Sequence, residues 1–212
     1  MRNATDINIL LDKSGSMQRN IEEVISGFNG YLAEQQQVFG DARLSLYQFN
    51  NRLNLTYSQD IGNALPLDRE TFRPSGWTRL YDAIGKVILD IEDRINTQPE
   101  ADRANKVMLA IMTDGGKNSS QEYNLERVNR EIERKRRLDC WQIVFIGANL
   151  EARTASNNLS LASNSRMSAA QASSYGSAFR GLSAGSSHYR KSKDARTYES
   201  EGQRDFFNPT SK

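Results

Sequence analysis

The chain has 212 residues and a mass of 24.0 kDa, with 28 Lys and Arg against 26 Asp and Glu and a formal net charge of +2. That length suits one domain with a short appendage, and the near-balanced charge argues against a nucleic-acid binder driven by bulk electrostatics. A single Cys (Cys140) and a single His (His188) exclude a disulfide scaffold, a structural zinc and catalysis by a Cys–His or Ser–His pair, so chemistry falls to oxygen ligands and backbone.

In chain order, Ile7-Asn8-Ile9-Leu10-Leu11 is a short apolar run ending at Asp12, which predicts a buried strand. The turn Ser14-Gly15-Ser16 follows. Ile21, Val24, Ile25, Phe28, Tyr31 and Leu32 then fall on one helical face. Ala42, Leu44 and Leu46 alternate with polar neighbours up to Phe49. Leu53, Leu55 and Tyr57 alternate again after Asn50-Asn51, which predicts a hairpin.

A loop through Pro66 and Pro74 leads to Gly76-Trp77-Thr78 and a helix carrying Leu80, Ala83, Ile84, Val87, Ile88, Ile91 and Ile95. Val107 to Met112 is a continuous apolar run of the kind found in central parallel strands, ending at Thr113-Asp114-Gly115-Gly116. A charged helix is expected from about Gln121 to Arg137, and another buried strand from Trp141 to Gly147. Ala152–Leu159 reads as a short helix, Ser165-Arg166-Met167 as an edge strand, and Ala169–Tyr189 as a closing helix with Tyr175, Phe179, Leu182 and Ser186 inward. The expected fold is α/β: a doubly wound, mostly parallel sheet with one antiparallel hairpin edge strand and helices on both faces. Ligands of such sheets sit at the carboxyl ends of the strands.

The charge is uneven along the chain. Residues 1–150 carry 19 basic and 21 acidic residues, whereas residues 151–212 carry 9 and 5, with 14 Ser and 9 Ala. A domain over residues 1–190 and a polar, flexible tail over 191–212 are expected, the pair Phe206-Phe207 reading either as an anchor or as incidental. No run approaches the length of a membrane helix, and no signal peptide precedes the first strand, so a cytoplasmic protein is expected.

Asp12 and Asp114 each close an apolar strand, where this fold binds ligands. Ser14 and Ser16 lie in the turn after Asp12, and Thr78 opens a helix after Gly76. Two carboxylates and three neutral hydroxyls make a hard oxygen set, suited to Mg²⁺ or Mn²⁺ and poor for zinc or copper. The same residues also have a plain structural reading: Ser, Thr and Asp before helices serve as N-caps, and Asp114-Gly115 serves as a turn.

Asp12-x-Ser14-x-Ser16 after a strand, Thr78 before a helix and Thr113-Asp114-Gly115 ending a second strand resemble the metal-ion-dependent adhesion site of von Willebrand factor type A domains. The resemblance covers about residues 4–190 and is nearest to standalone bacterial and phage members. It implies that Ser14 and Ser16 coordinate Mg²⁺ or Mn²⁺ directly, that Thr78 joins when a partner is bound, and that Asp12 and Asp114 act partly through water. It further implies a non-enzymatic module whose cation bridges to an Asp or Glu of a partner protein or of a second copy, with the closing helix shifting on binding. Trp77 departs from the small residue usual before the threonine and is expected to wall the metal. Gly115-Gly116-Lys117 departs from the acidic residue often found there, and places Lys117 at the rim.

Two other functions compete with this one. A metal-dependent phosphoryl-transfer enzyme would need a second acidic residue two positions after Asp12, where Ser14 stands. A nucleic-acid-associated protein would use Arg190, Lys191, Lys193 and Arg196 of the basic end, but lacks interleaved aromatics. The run Glu131–Arg137 reads as a solvated helix face.

Overall fold

In a computed structural model, residues 2–115, 118–147, 150–161, 165–166, 174–200 and 206–207 are described. Five strands, β1 (Arg2–Asp12), β2 (Asp41–Phe49), β3 (Leu53–Asp60), β4 (Ala104–Thr113) and β5 (Gln142–Gly147), form one sheet in the order β3-β2-β1-β4-β5. All neighbours run parallel except the β2–β3 hairpin. The helices are α1 (Ile21–Gln37), α2 (Leu80–Asn96), α3 (Leu125–Asp139), α4 (Leu150–Asn158), α5 (Tyr175–Lys191) and α6 (Ala195–Ser200).

Alternation along the strands divides the core between the two faces of the sheet. Ile7, Ile9 and Leu11 of β1 join Leu44, Leu46, Met108 and Val144 beneath α1 and α5, whose Phe28, Tyr31, Phe179, Leu182 and Tyr189 are buried there. On the other face Leu10, Leu109, Ile111 and Phe145 pack against Ile84, Val87, Ile88 and Ile91 of α2 and Val128 and Ile132 of α3. The sheet is therefore doubly wound. Its strand order reverses between β1 and β4, the crevice where such sheets admit ligands.

The inward face expected of the closing helix is observed, with Tyr175, Phe179, Leu182 and Ser186 all buried. The helix starts at Tyr175 behind a Ser174–Ser177 capping box; Ala169–Ser173 lie outside the described residues, as does Met167. The expected edge strand is represented by an isolated bridge between Phe145 and Arg166.

Two expectations about charge need correction. Lys135, in the run read as a solvated face, is buried, with Nζ 2.7 Å from Glu92 and 2.8 Å from Asp139. Arg190, assigned to the basic end, is also buried and donates to the carbonyls of Gln35, Val38 and Gly40. Gln35 lies in the last turn of α1, Val38 is its C-cap and Gly40 follows, so the cation gathers the carbonyls around the end of the helix. Beyond residue 190, α6 is helical and both Phe206 and Phe207 are buried. Phe206 lies over Gly185 of α5, where a Cβ would meet its carbonyl oxygen at 2.3 Å; the helix has a glycine where the chain crosses it.

Candidate metal centre

β1 ends at Asp12, the last residue paired across to β2. Its carboxylate is fully buried. One oxygen accepts the Ser14 backbone N–H at 2.7 Å and the other accepts the Thr113 hydroxyl, at the end of β4, at 2.6 Å. Burial pushes the Asp12 carboxyl up to about 6; the Thr113 and Ser14 hydrogen bonds oppose this, and the nearby Asp114 charge adds to it.

Three loops meet over this carboxylate. The turn after β1 is held to β2 by Lys13 N–H on the Phe49 carbonyl (2.7 Å). It is held to the 74–79 loop by Gly15 N–H on the Gly76 carbonyl (3.0 Å) and by Ser75 N–H on the Lys13 carbonyl (2.8 Å). Thr78 forms a bridge with Asn118, its carbonyl accepting from Ser119 N–H at 2.7 Å, which ties that loop to the one after β4. Ser14, Thr78 and Asp114 are buried and Ser16 is exposed. The structure thus gathers all five expected residues, Asp12, Ser14, Ser16, Thr78 and Asp114, at one end of the β1–β4 crevice.

The N-cap reading of these hydroxyls does not fit. Ser14 occupies the N-cap position of the 3₁₀ turn Gly15–Asn20, yet its side chain makes no capping bond. Its Oγ instead lies 3.1 Å from Ser16 Oγ. The N-cap of α2 is Arg79, not Thr78. Leu80 N–H, in the first turn of that helix, is satisfied by the Asn118 side chain at 3.1 Å. Asp12 does accept a backbone N–H, as an Asx turn would.

Among the described residues, no three His, Cys, Asp or Glu side chains gather to hold an ion. The donors at this crevice are two carboxylates and three hydroxyls, one carboxylate being buried without a cation in hydrogen-bond reach. That donor set fits Mg²⁺ or Mn²⁺ and would mismatch a soft metal.

Sequence reasoning missed several contributors. Thr113 Oγ1 bonds both Asp12 and Gly115 N–H (3.0 Å), and its place as the last strand residue before Asp114 was the available signal. Asn51 and Asn118 fasten the loops through side-chain oxygens, which spacing along the chain does not reveal. Trp77, expected to wall the site, is 69% exposed. Lys117 lies outside the described residues.

No protein-family profile matches the chain, and no curated protein matches it. Solved structures share its fold. The PilB minor pilin from Streptococcus sanguinis is similar at a TM-score of 0.60 and 13% identity, over 95% of this chain and 64% of that one. The pilus adhesin SpaC from Lactobacillus rhamnosus GG, in an open conformation, is similar at 0.58 and 15%, over 85% and 29%. The ArnB paralog VWA2 from Sulfolobus acidocaldarius is 20% identical over 69% of this chain and 35% of that one, with a TM-score of 0.45. The chain spans less than two thirds of the length of each, and at these identities the likeness is one of fold. No helix among the described residues is long and apolar enough to cross a membrane.

Proposed function

We propose that the chain is a von Willebrand factor type A-like binding module in which a divalent cation, Mg²⁺ or Mn²⁺, bridges it to an acidic residue of a partner protein. Ser14, Ser16 and Thr78 would hold the ion through their hydroxyls, and Asp12 and Asp114 would complete its surroundings. The ion would supply a concentrated positive charge that a partner carboxylate can approach, a stronger attraction than a surface ion pair. The observation that carries the reading is that Ser14 stands at the N-cap of a helical turn without capping it, while Thr78 lies one residue before the N-cap of α2 and caps nothing either. Beside them lies a fully buried Asp12 that no protein cation neutralises.

The same arrangement counts against Asp12 as a nucleophile. An aspartyl nucleophile needs a reachable carboxylate, and both Asp12 oxygens are already engaged by Ser14 and Thr113. The test is calorimetry with MgCl₂ and MnCl₂, together with the thermal unfolding of the full chain in Mg²⁺ and in EDTA. Saturable binding to the wild type that is lost in Asp12→Ala and Ser14→Ala is expected. Heats indistinguishable between the wild type and both variants would refute the site.

A further inference from the structure

The loop carrying Thr78 is built to hold an aromatic side chain out in solvent. Gly76 has a φ of +77°, and a Cβ there would sit 2.1 Å from the Asn51 side-chain oxygen, so the position requires glycine. That same oxygen accepts the Trp77 N–H at 2.7 Å. On either side, Asn50 Nδ2 donates to the Ser75 carbonyl at 2.8 Å and Arg79 N–H donates to the Asn50 carbonyl at 3.1 Å. The backbone is thus fixed at Ser75, Trp77 and Arg79 around an indole that is 69% exposed. A large apolar ring left in water on a pinned loop, next to Thr78, is the form that binding hot spots take, because little ordering entropy is left to lose.

The charge around the ring is one-sided. Among the described residues, Lys13, Arg52 and Arg79, which the loop's backbone bonds bring beside it, make no ion pair, and the Arg79 Nε is buried without a partner. Glu22 and Glu70 pair with Arg69 and Arg73. A bound Mg²⁺ would neutralise Asp12 and Asp114 and leave this rim net positive.

We infer that Trp77, with Lys13, Arg52 and Arg79 around it, reads the neighbours of the metal-bound carboxylate, so that the partner is an acidic peptide segment bearing an apolar or aromatic side chain next to its Asp or Glu. This rests on the metal-bridge reading and adds the partner's chemistry to it. A short acidic segment suits the rim better than a nucleic acid does. Three cations fall below the roughly six to ten phosphate contacts of a typical binder.

The test is selection from a bead-displayed library of random eight-residue peptides in Mg²⁺, using the full-length wild type, Trp77→Ala, Arg52→Glu and Asp12→Ala. The wild type should enrich peptides centred on Asp or Glu with an apolar neighbour and further acids. Trp77→Ala should keep the acidic centre and lose the apolar preference, binding the best wild-type peptide at least about tenfold more weakly while its Mg²⁺ affinity is unchanged. Arg52→Glu should reduce the preference for further acids. An acidic centre without an apolar neighbour, or a consensus that Trp77→Ala leaves intact, overturns this inference alone. An absent acidic centre, or no enrichment, overturns the metal bridge and this inference with it. Trp77-dependent binding of a (dT)₂₀ oligonucleotide would reassign the surface to nucleic acid and likewise overturn it.

Discussion

Two carboxylates on the same strand, six residues apart, meet opposite fates. Asp6, near the start of β1, is buried beside Arg94 of α2, with a guanidinium nitrogen 2.8 Å away and Asn8 at 3.4 Å. Asp12, at the end of that strand, is equally buried but faces only the Thr113 and Ser14 hydroxyls and a backbone N–H. Burial raises the pKa of both; at Asp6 the Arg94 charge works against it, whereas at Asp12 only neutral donors do, and Asp114 makes matters worse. The two differ in kind: Asp6 is supplied with its own cation, as a scaffold anion is, whereas Asp12 has none in hydrogen-bond reach and is where the proposed Mg²⁺ would sit.

The comparison is most severely tested by Arg94→Met. It would strand Asp6 and cost about 3–5 kcal/mol, read as a lower denaturant midpoint. Asp12→Asn should do the opposite in metal-free protein, leaving stability unchanged or raised because a buried charge is gone. It should also abolish the gain conferred by Mg²⁺, which for the wild type amounts to about 2.7 kcal/mol at a hundredfold excess over the Kd. If Arg94→Met and Asp12→Asn destabilised equally, the two carboxylates would not differ in kind.

The far end of the sheet offers a smaller effect. Arg134 holds both Glu92 oxygens, at 3.1 and 2.8 Å, and the buried Lys135 also reaches Glu92; together they pull its carboxyl down to about 2. A lowered folded-state pKa contributes stability that is complete above the unfolded value of 4.5 and is lost as pH falls through about 2. Discounted for the 24% of the Glu92 side chain left in solvent, that contribution is about 1–2 kcal/mol. Glu92→Gln should flatten the acid limb between pH 4.5 and 2 in a stability–pH profile. The smallest effect is expected of Thr78→Val, which keeps the shape and removes a hydroxyl that caps no helix. Metal-free stability should move by about 0.5 kcal/mol or less, while Mg²⁺-dependent binding of acidic peptide weakens.

The hydrophobic periodicity made the sheet and most helices legible, because each strand and helix buries one or both faces and so writes its period into the sequence. Residues 107–112 announced a central strand, and Leu80 to Ile95 an amphipathic helix. The candidate site was proposed for a different reason: strand-terminal acids and small hydroxyl residues also serve as caps and turns, and it was the order of Asp12, Ser14, Ser16, Thr78 and Asp114 along the chain that resembled a known arrangement. What stayed hidden was polar and long-range. Lys135 and Arg190 look like surface cations in sequence, and only the fold places Glu92, or the end of α1, against them. Asn51 and Asn118 are unremarkable among 212 residues until the loops meet. The seat of Phe206 over Gly185 joins two residues in a Ser- and Ala-rich stretch whose composition carries no packing period.

The placement of α5 also governs the order in which the molecule is completed. Both faces of β1 and β4 are apolar, and the strands, α2 and α3 are all present once residue 147 has been synthesised. The face above Ile9, Met108 and Val144 nevertheless waits for Phe179, Leu182 and Tyr189. Until those emerge, that face has only α1 among the helices to cover it, and exposed apolar surface of this kind is prone to aggregation. Lys106 and Arg190 mark the closing of that roof. The first fastens the end of α5 to β4 through the carbonyls of Arg190 and Ser192, at 2.6 and 2.7 Å, and the second fastens α5 to α1. The helix α5, followed among the described helices only by the short α6, is thus the clasp between the sheet and α1.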